Sequence, residues 1–357
     1  MTTQAWIEIL LIPLIKIAVV LGAVSLVVAY LTWLERKVLG FIQARLAPRR
    51  VGPSGLLQPI ADGLKLLLKE DIIPAQADKL AFVLAPVVAI IPAFAAFAVI
   101  PFAGRSFRVL GFEIWPWITD LNIGILYVLS ISSLGIYGII LGGWSSNSKY
   151  SLLGGLRSSA QMISYEVPLG FSVIGILMLT GTASLPGIVD WQRAHGWWGF
   201  AVQPLGLFLF LVSAVAETNR VPFDLPEAES ELVAGFHTEY SGMKFSFFFI
   251  AEYANMVVVS SMAVTMFFGG WLPPFPNWTG NWLNLGLDLV HPAIAGLFWF
   301  ALKVFLLLFF YIWLRGTFPR YRYDQLMDLG WKWLIPLAIA NVAITGVAAM
   351  LLAGPVA

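Results

Sequence analysis

Residues 7–33 read IEILLIPLIKIAVVLGAVSLVVAYLTW. A run of this length can cross the ~30 Å hydrocarbon core of a bilayer, which takes about 20 residues of α-helix. A secretory signal peptide has a shorter apolar core, a basic N-terminal region and a cleavage site of small residues. This run ends instead in Glu35-Arg36-Lys37. We therefore predict a retained first membrane-spanning helix.

The rest of the chain is similarly apolar. Of its 357 residues, 59% are hydrophobic and 11% charged, and the mean hydropathy is +0.83, whereas soluble domains carry about 25% charged residues. We predict an all-α fold, a polytopic membrane bundle of about eight transmembrane helices that forms a single integral membrane domain over residues 1–357. The predicted spans lie near 7–33, 79–101, 120–142, 161–181, 201–219, 243–270, 290–315 and 331–354.

Residues 56–69 are too short and too charged to span. Apolar residues recur there at helical spacing, and Asp62, Lys65 and Lys69 fall on other faces. This pattern is typical of an amphipathic helix that lies in the membrane interface.

The basic residues are distributed unequally between the two sides. If the first connection is cytoplasmic, 16 of the 21 Lys and Arg residues lie on that side, and only Arg105, Arg108 and Arg193 lie on the other. Cytoplasmic connections are enriched in Lys and Arg, so this distribution sets the orientation. With an even number of spans, both termini are expected outside.

Composition excludes several function classes. The net charge of +1, with no basic block interleaved with aromatic residues, excludes nucleic acid as a partner. The chain has no cysteine, which rules out disulfides, thiolate nucleophiles and Cys-ligated iron–sulfur clusters in this chain.

Three carboxylates fall inside predicted spans, in their cytoplasmic halves: Glu166, Glu217 and Glu252. Ionisable groups within the membrane are costly and commonly functional. Brought together in a low dielectric, these three could form a chain of protonatable sites that relays protons. The alternative is that each pairs with a local base such as Arg157 or Arg220.

The most acidic stretch is ETNRVPFDLPEAESE, residues 217–231. Its two prolines break any helix through it, and Asp224 stands where it could cap a helix that begins at Pro226. Such a helix would place Glu227 and Glu231 on one face. An ordinary solvated acidic loop is the alternative. Lys303, within the seventh predicted span, could pair with a carboxylate or extend its stem to the interface.

Several motifs along the whole chain resemble the H-type membrane subunits of respiratory complex I, the proton-translocating NADH–quinone oxidoreductase. They are Glu35-Arg36-Lys37-Val38-Leu39-Gly40, the segment Gly52–Lys65, Ser164-Tyr165-Glu166, the segment Ala216–Leu232 and Ala251-Glu252-Tyr253.

The resemblance implies a multi-pass subunit of the bacterial cell inner membrane with periplasmic termini, which helps to form the quinone-binding chamber and is not catalytic alone. It implies no cofactor bound by this chain, quinone as substrate, and FMN and iron–sulfur clusters in partner subunits. The implied partners are the peripheral-arm iron–sulfur and quinone-site subunits, small membrane subunits and antiporter-like subunits. The implied chamber residues are Glu35, Arg36, Arg45, Asp62, Lys65 and Arg220. The implied proton-coupling residues are Glu166, Glu217, Glu252, Glu227, Glu231 and Asp224.

Two features depart from the family pattern. The first loop has Ala47-Pro48-Arg49 where the family commonly has Gly-Pro-Asn, and the third span lacks a glutamate that some relatives carry there. The proton relay is therefore expected to be shorter, or to use Tyr127, serines and water. The equivalent subunit of a related hydrogenase or formate-linked complex, and a stand-alone ion transporter, stay open as alternatives. A membrane anchor for a redox arm would not need the buried glutamates.

Overall fold

The computed structural model describes residues 7–109, 112–224, 234–274 and 291–353. Within these ranges most residues are helical and strands are almost absent, so the predicted all-α class is confirmed. The α-helices are α1 Ile12–Ile42, α2 Gln58–Leu68, α3 Lys79–Ala95, α4 Gly124–Ser145, α5 Lys149–Thr180, α6 Leu185–His195, α7 Gly199–Val202, α8 Pro204–Glu217, α9 Gly242–Phe267, α10 Pro292–Thr317, α11 Tyr323–Asp328 and α12 Ile335–Ala353.

Seven helical segments in the described ranges are long and apolar enough to cross a membrane. They confirm a polytopic bundle and match seven of the eight predicted spans. The segments are Ile12–Ile42, Lys79–Val99, Gly124–Ser145, Lys149–Thr180, Gly242–Phe267, Ala293–Thr317 and Tyr323–Leu351.

The predicted span 201–219 is shorter than expected. The helix breaks at Gln203, whose backbone is not helical, and α8 starts at Pro204 and has only 14 residues. Proline has no N–H to donate, so it is favoured in the first turn of a helix and cannot continue one smoothly. At 1.5 Å per residue α8 is about 21 Å long, less than the hydrocarbon thickness. Glu217 is its last residue.

Two helices extend beyond their predicted spans on the side expected to be cytoplasmic. Helix α1 continues to Ile42, so that Glu35 lies within it instead of closing it. Helix α5 begins at Lys149 and has 32 residues, about 48 Å of helix. Its polar first turns extend beyond the apolar run from which the span was predicted.

The bundle is organised around α5 and α9. Helix α5 contacts α4, α8 and α12, and α9 contacts α3, α10 and α1. Large side chains fill the interior of the bundle, and Tyr165 of α5 and Phe267 of α9 are fully buried. Helices α3 and α4 approach closely at Gly138, where a β-carbon would lie 2.7 Å from the backbone nitrogen of Ala89. A small residue there lets the two backbones pack together.

The connection after α3 forms a short antiparallel hairpin of β1 (Phe107–Val109) and β2 (Phe112–Ile114), with Arg108 opposite Glu113.

Within the described ranges, Lys303 of α10 neither pairs with a carboxylate nor extends to the membrane interface, the two arrangements expected of it. Its ammonium group donates to three backbone carbonyls in the turn that follows α9, those of Phe268, Gly270 and Leu272, at 2.6–2.9 Å. It also lies 4.8 Å from the ring of Trp198. Lys303 therefore supplies donors to carbonyls of the turn just beyond the helix.

Candidate functional site

A buried cluster of charges joins four parts of the chain that are far apart in sequence. Arg220, in the connection after α8, lies 3.3 Å from a carboxylate oxygen of Glu35 in α1 and 2.7 Å from one of Glu252 in α9. The second oxygen of Glu35 accepts a hydrogen bond from Arg315 in the last turn of α10. Tyr253 donates its hydroxyl proton to Glu35 at 2.7 Å and lies under the Arg220 guanidinium.

The cluster is balanced in charge, with two carboxylates and two guanidinium groups. Glu35 is 4% and Arg220 5% exposed, and charges so buried are tolerated only when they are paired. Burial by itself would lower the pKa of Arg220, but the carboxylates of Glu252 and Glu35 raise that pKa well above its usual value. Arg220 is therefore a permanent positive charge shared by two acids.

The side chain of Gln161 in α5 fixes the backbone around Arg220. Gln161 donates from its amide nitrogen to the carbonyls of Ala216 and Phe223, both at 2.8 Å. The chain reverses between these two residues through Asn219, which has a positive φ of 51°. Beyond the turn, Asp224 is 4% exposed and forms an ion pair of 3.3 Å with Arg320. The predicted helix from Pro226, with Glu227 and Glu231, lies outside the described residues.

Glu217 lies between two cavities. The first has about 50 Å³ accessible to water and is also lined by Glu252. The second has about 20 Å³ and is lined further along α9, by Val258 and Met262. Glu217 and Asn255 line both. Roughly 10–15 Å³ on this measure holds one water. Each cavity is therefore large enough for at least one water molecule beside Glu217.

Glu166 lies in α5, which contacts α8, the helix of Glu217. Its carboxyl is hydrogen-bonded to the hydroxyl of Ser133 in α4, and it faces Glu217 closely enough to interact with it electrostatically. Among the described residues, neither Glu166 nor Glu217 forms an ion pair. Glu252 does, with Arg220, so the local pairing expected as an alternative is found for that residue.

Of the four chamber residues predicted in and beside the first connection, two pair with each other and two are exposed. Arg36 and Asp62 form an ion pair of 2.6 Å that ties α2 to α1, and Gln58 donates to the other oxygen of Asp62 at 3.0 Å. Lys65 and Arg45 are exposed, and Arg45 donates to its neighbour Gln43. The structure thus joins Glu35 with Arg220 and Arg36 with Asp62, but brings neither Lys65 nor Arg45 to the buried cluster.

Sequence reasoning missed three members of the site, Tyr253, Arg315 and Asn255, and it expected serines of the third span to take part without singling out Ser133. Tyr253 follows Glu252 directly in a motif noted above, and its aromatic ring gave no sign of a polar role. Arg315 had the appearance of an interfacial anchor at the end of a span. Ser133 adjoins Ser132, and Asn255 has apolar neighbours on both sides. Polar side chains in these helices can satisfy themselves within the helix. Over the described ranges, no group of three His, Asp or Glu side chains has an arrangement that could hold a metal ion.

Comparison with known proteins gives a consistent result over nearly the whole chain. Residues 15–346 match the NADH dehydrogenase family. One of the H subunits of NADH-quinone oxidoreductase from Geobacter metallireducens is 51% identical, over 93% of this chain and 94% of that protein. One from Koribacter versatilis is 50% identical, over 94% and 96%. One from Rickettsia bellii is 53% identical, over 92% and 91%. The chain therefore belongs to the NADH dehydrogenase family, among the H subunits of NADH-quinone oxidoreductases.

Proposed function

We propose that this chain is the H-type membrane subunit of an NADH-quinone oxidoreductase, where it helps to form the quinone-binding chamber and couples quinone reduction to proton translocation. The observation that carries the proposal is the position of Glu217. Glu217 lines two cavities that are large enough for water, shares the first of them with Glu252 of the charge cluster, and interacts electrostatically with Glu166.

The chamber side of the proposal rests on the charged residues near the ends of α1, α2 and α8. Glu35 and Arg220 lie in the buried cluster, and Arg36, the next residue of α1, pairs with Asp62 of α2. Partner subunits of the peripheral arm would complete the chamber. Those subunits would carry FMN and the iron–sulfur clusters, and electrons would reach the quinone from them. This chain would shape the site and supply charge without catalysing bond chemistry alone.

The proposed coupling of quinone reduction to proton translocation depends on Arg220. Because one guanidinium pairs with both Glu35 and Glu252, a change of charge on the chamber side alters the field at Glu252. At an effective dielectric of ~20, a unit charge ~4 Å away is worth about 4 kcal/mol. Glu252 lines the same cavity as Glu217. Quinone reduction would thus shift the proton occupancy of Glu252, Glu217 and Glu166 in turn, and antiporter-like subunits would continue this path.

The test is Glu217→Gln in the assembled enzyme reconstituted into liposomes. Glutamine has nearly the same shape but cannot carry a proton, so we expect coupled proton pumping to be lost and quinone reductase activity to fall. Glu113→Gln is the matched control, because Glu113 lies in the exposed hairpin and bonds to Ser106. Normal quinone reduction together with normal pumping in Glu217→Gln would contradict the proposal.

A further inference from the structure

Ser133 of α4 has two acceptors within reach of one hydroxyl group. Its Oγ lies 2.8 Å from the carbonyl oxygen of Leu129, one helical turn earlier, and is also hydrogen-bonded to the carboxyl of Glu166 in α5. A serine hydroxyl carries a single proton and has two lone pairs. It can donate to only one of these two acceptors at a time.

The choice between the acceptors depends on the protonation state of Glu166. A charged carboxylate only accepts hydrogen bonds, so Ser133 must donate to it. A protonated carboxyl can donate its own O–H to Ser133 Oγ. The serine proton then turns to the carbonyl of Leu129. The serine keeps its own proton in both arrangements, and the proton that Glu166 gains or loses comes from outside this pair.

The carbonyl that Ser133 leaves is not stranded. Ser132 also donates to the oxygen of Leu129, at 2.9 Å, so this oxygen keeps a donor when the Ser133 hydroxyl turns away. A buried acceptor left without a donor would cost about 1–3 kcal/mol. The same oxygen also accepts the helix hydrogen bond from the backbone N–H of Ser133. Rotation of the Ser133 hydroxyl therefore leaves the Leu129 oxygen with two donors and does not carry this cost.

We propose that Ser133 is a positioning residue for proton exchange at Glu166, whose hydroxyl changes hydrogen-bond partner each time the carboxyl is protonated or deprotonated. This inference rests on the proposed function, in which Glu166 exchanges protons. Ser133 satisfies both states of the carboxyl within one contact between α4 and α5. Ser133 does not itself take up or release a proton, whereas a glutamate in this span, as in some relatives, would do so.

The test uses infrared difference spectroscopy and proton pumping on the assembled enzyme. The C=O stretching band of protonated Glu166 is identified by its loss in Glu166→Gln. In Ser133→Ala this band moves to higher frequency, because the carboxyl loses the oxygen to which it donated. Ser133→Thr, which keeps a hydroxyl, restores the band. Coupled pumping falls about tenfold in Ser133→Ala, since hydrogen bonds to charged groups are among the stronger ones.

Ser172→Ala is the matched control. Ser172 lies in α5, the helix of Glu166, is fully buried and donates only to the carbonyl of Leu169 in its own helix. This change leaves the Glu166 band and pumping unaltered. If Ser133→Ala does not assemble, Ser133→Cys tests the same contact through a weaker donor, with an intermediate band position.

Two results would overturn the inference. One is a Glu166 band at the same frequency in wild type and Ser133→Ala. The other is a wild-type enzyme in which no Glu166 band appears at any accessible pH, because the carboxyl then never takes a proton. Normal pumping in Glu166→Gln would instead remove Glu166 from the proposed function, while the band position in Ser133→Ala would still report on the contact.

Discussion

At the scale of single residues, Arg220 does the most to hold the site together. It is the one guanidinium in the described part of the chain that touches both Glu35 of α1 and Glu252 of α9. A buried ion pair contributes little net stability compared with an apolar replacement of both partners. Removing one partner, however, leaves a charge that cannot be solvated. The cluster is therefore sensitive to loss of its cation.

Arg220→Gln is expected to destabilise the subunit by about 3–5 kcal/mol, the usual cost of removing one partner of a buried pair. Arg220→Lys should cost less, because it keeps the charge, but an ammonium cannot reproduce the planar fork of donors. Thermal unfolding of the assembled complex, with quantification of the subunit retained, measures both effects.

Arg193→Gln is the control for Arg220. Arg193 pairs with Asp190 at 3.9 Å, and both side chains are more than half exposed, so the expected change is within about 1 kcal/mol. Equal stability of Arg220→Gln and Arg193→Gln would show that the cluster does not anchor the helices.

At the scale of elements, α2 has an apolar face that nothing in the described chain covers. Ile60 and Leu64 are each 55% exposed and Leu68 is 86% exposed. The other side is tied to α1 through the pair of Arg36 and Asp62. The structure confirms the predicted amphipathic helix, and its place in the membrane interface stays a prediction.

A photo-crosslinking amino acid distinguishes the two faces of α2. With p-benzoylphenylalanine at position 64, irradiation of the assembled enzyme in membranes is expected to give lipid adducts, because the apolar face lies against acyl chains. The same residue at position 65 should give few, since Lys65 is on the charged face. Mass spectrometry of the subunit reads out both. Adducts of position 64 with other subunits alone would show that a protein covers this face.

At the scale of the whole molecule, the short helix α8 decides the topology. Seven long apolar segments would place the two termini on opposite sides of the membrane. Only if the α7–α8 segment also crosses are both termini on one side. The distribution of Lys and Arg favours the second arrangement, with 16 of 21 on one side.

Reporter fusions test this topology. Alkaline phosphatase, which is active only in the periplasm, is expected to be active when fused after Ala357 and inactive when fused after Arg320. A fluorescent protein that matures only in the cytoplasm should give the opposite pattern. An inactive phosphatase at Ala357 would mean that α7 and α8 enter the membrane without crossing it.

The sequence by itself determined the elements. Long apolar runs predicted eight spans, seven of which the structure has as helices long and apolar enough to cross a membrane. The spacing of leucines predicted α2, and isolated carboxylates in apolar helices indicated Glu166, Glu217 and Glu252. All of these signals are local, because helix formation and burial in lipid depend on residues close together in the chain. The same local view overestimated α8, where Pro204 divides an apolar run into two helices.

Only the tertiary structure decided which side chains meet. Glu35 and Arg220 are 185 positions apart, and Ser133 and Glu166 lie on different helices. Their contacts depend on how each helix is rotated and shifted against its neighbours. A helix whose few polar residues do not form one face, such as α9, has no face that its sequence marks as inward. Close packing at small residues such as Gly138 sets that rotation instead. The sequence therefore indicated where the charges are, and packing of the helices determined that they form one site.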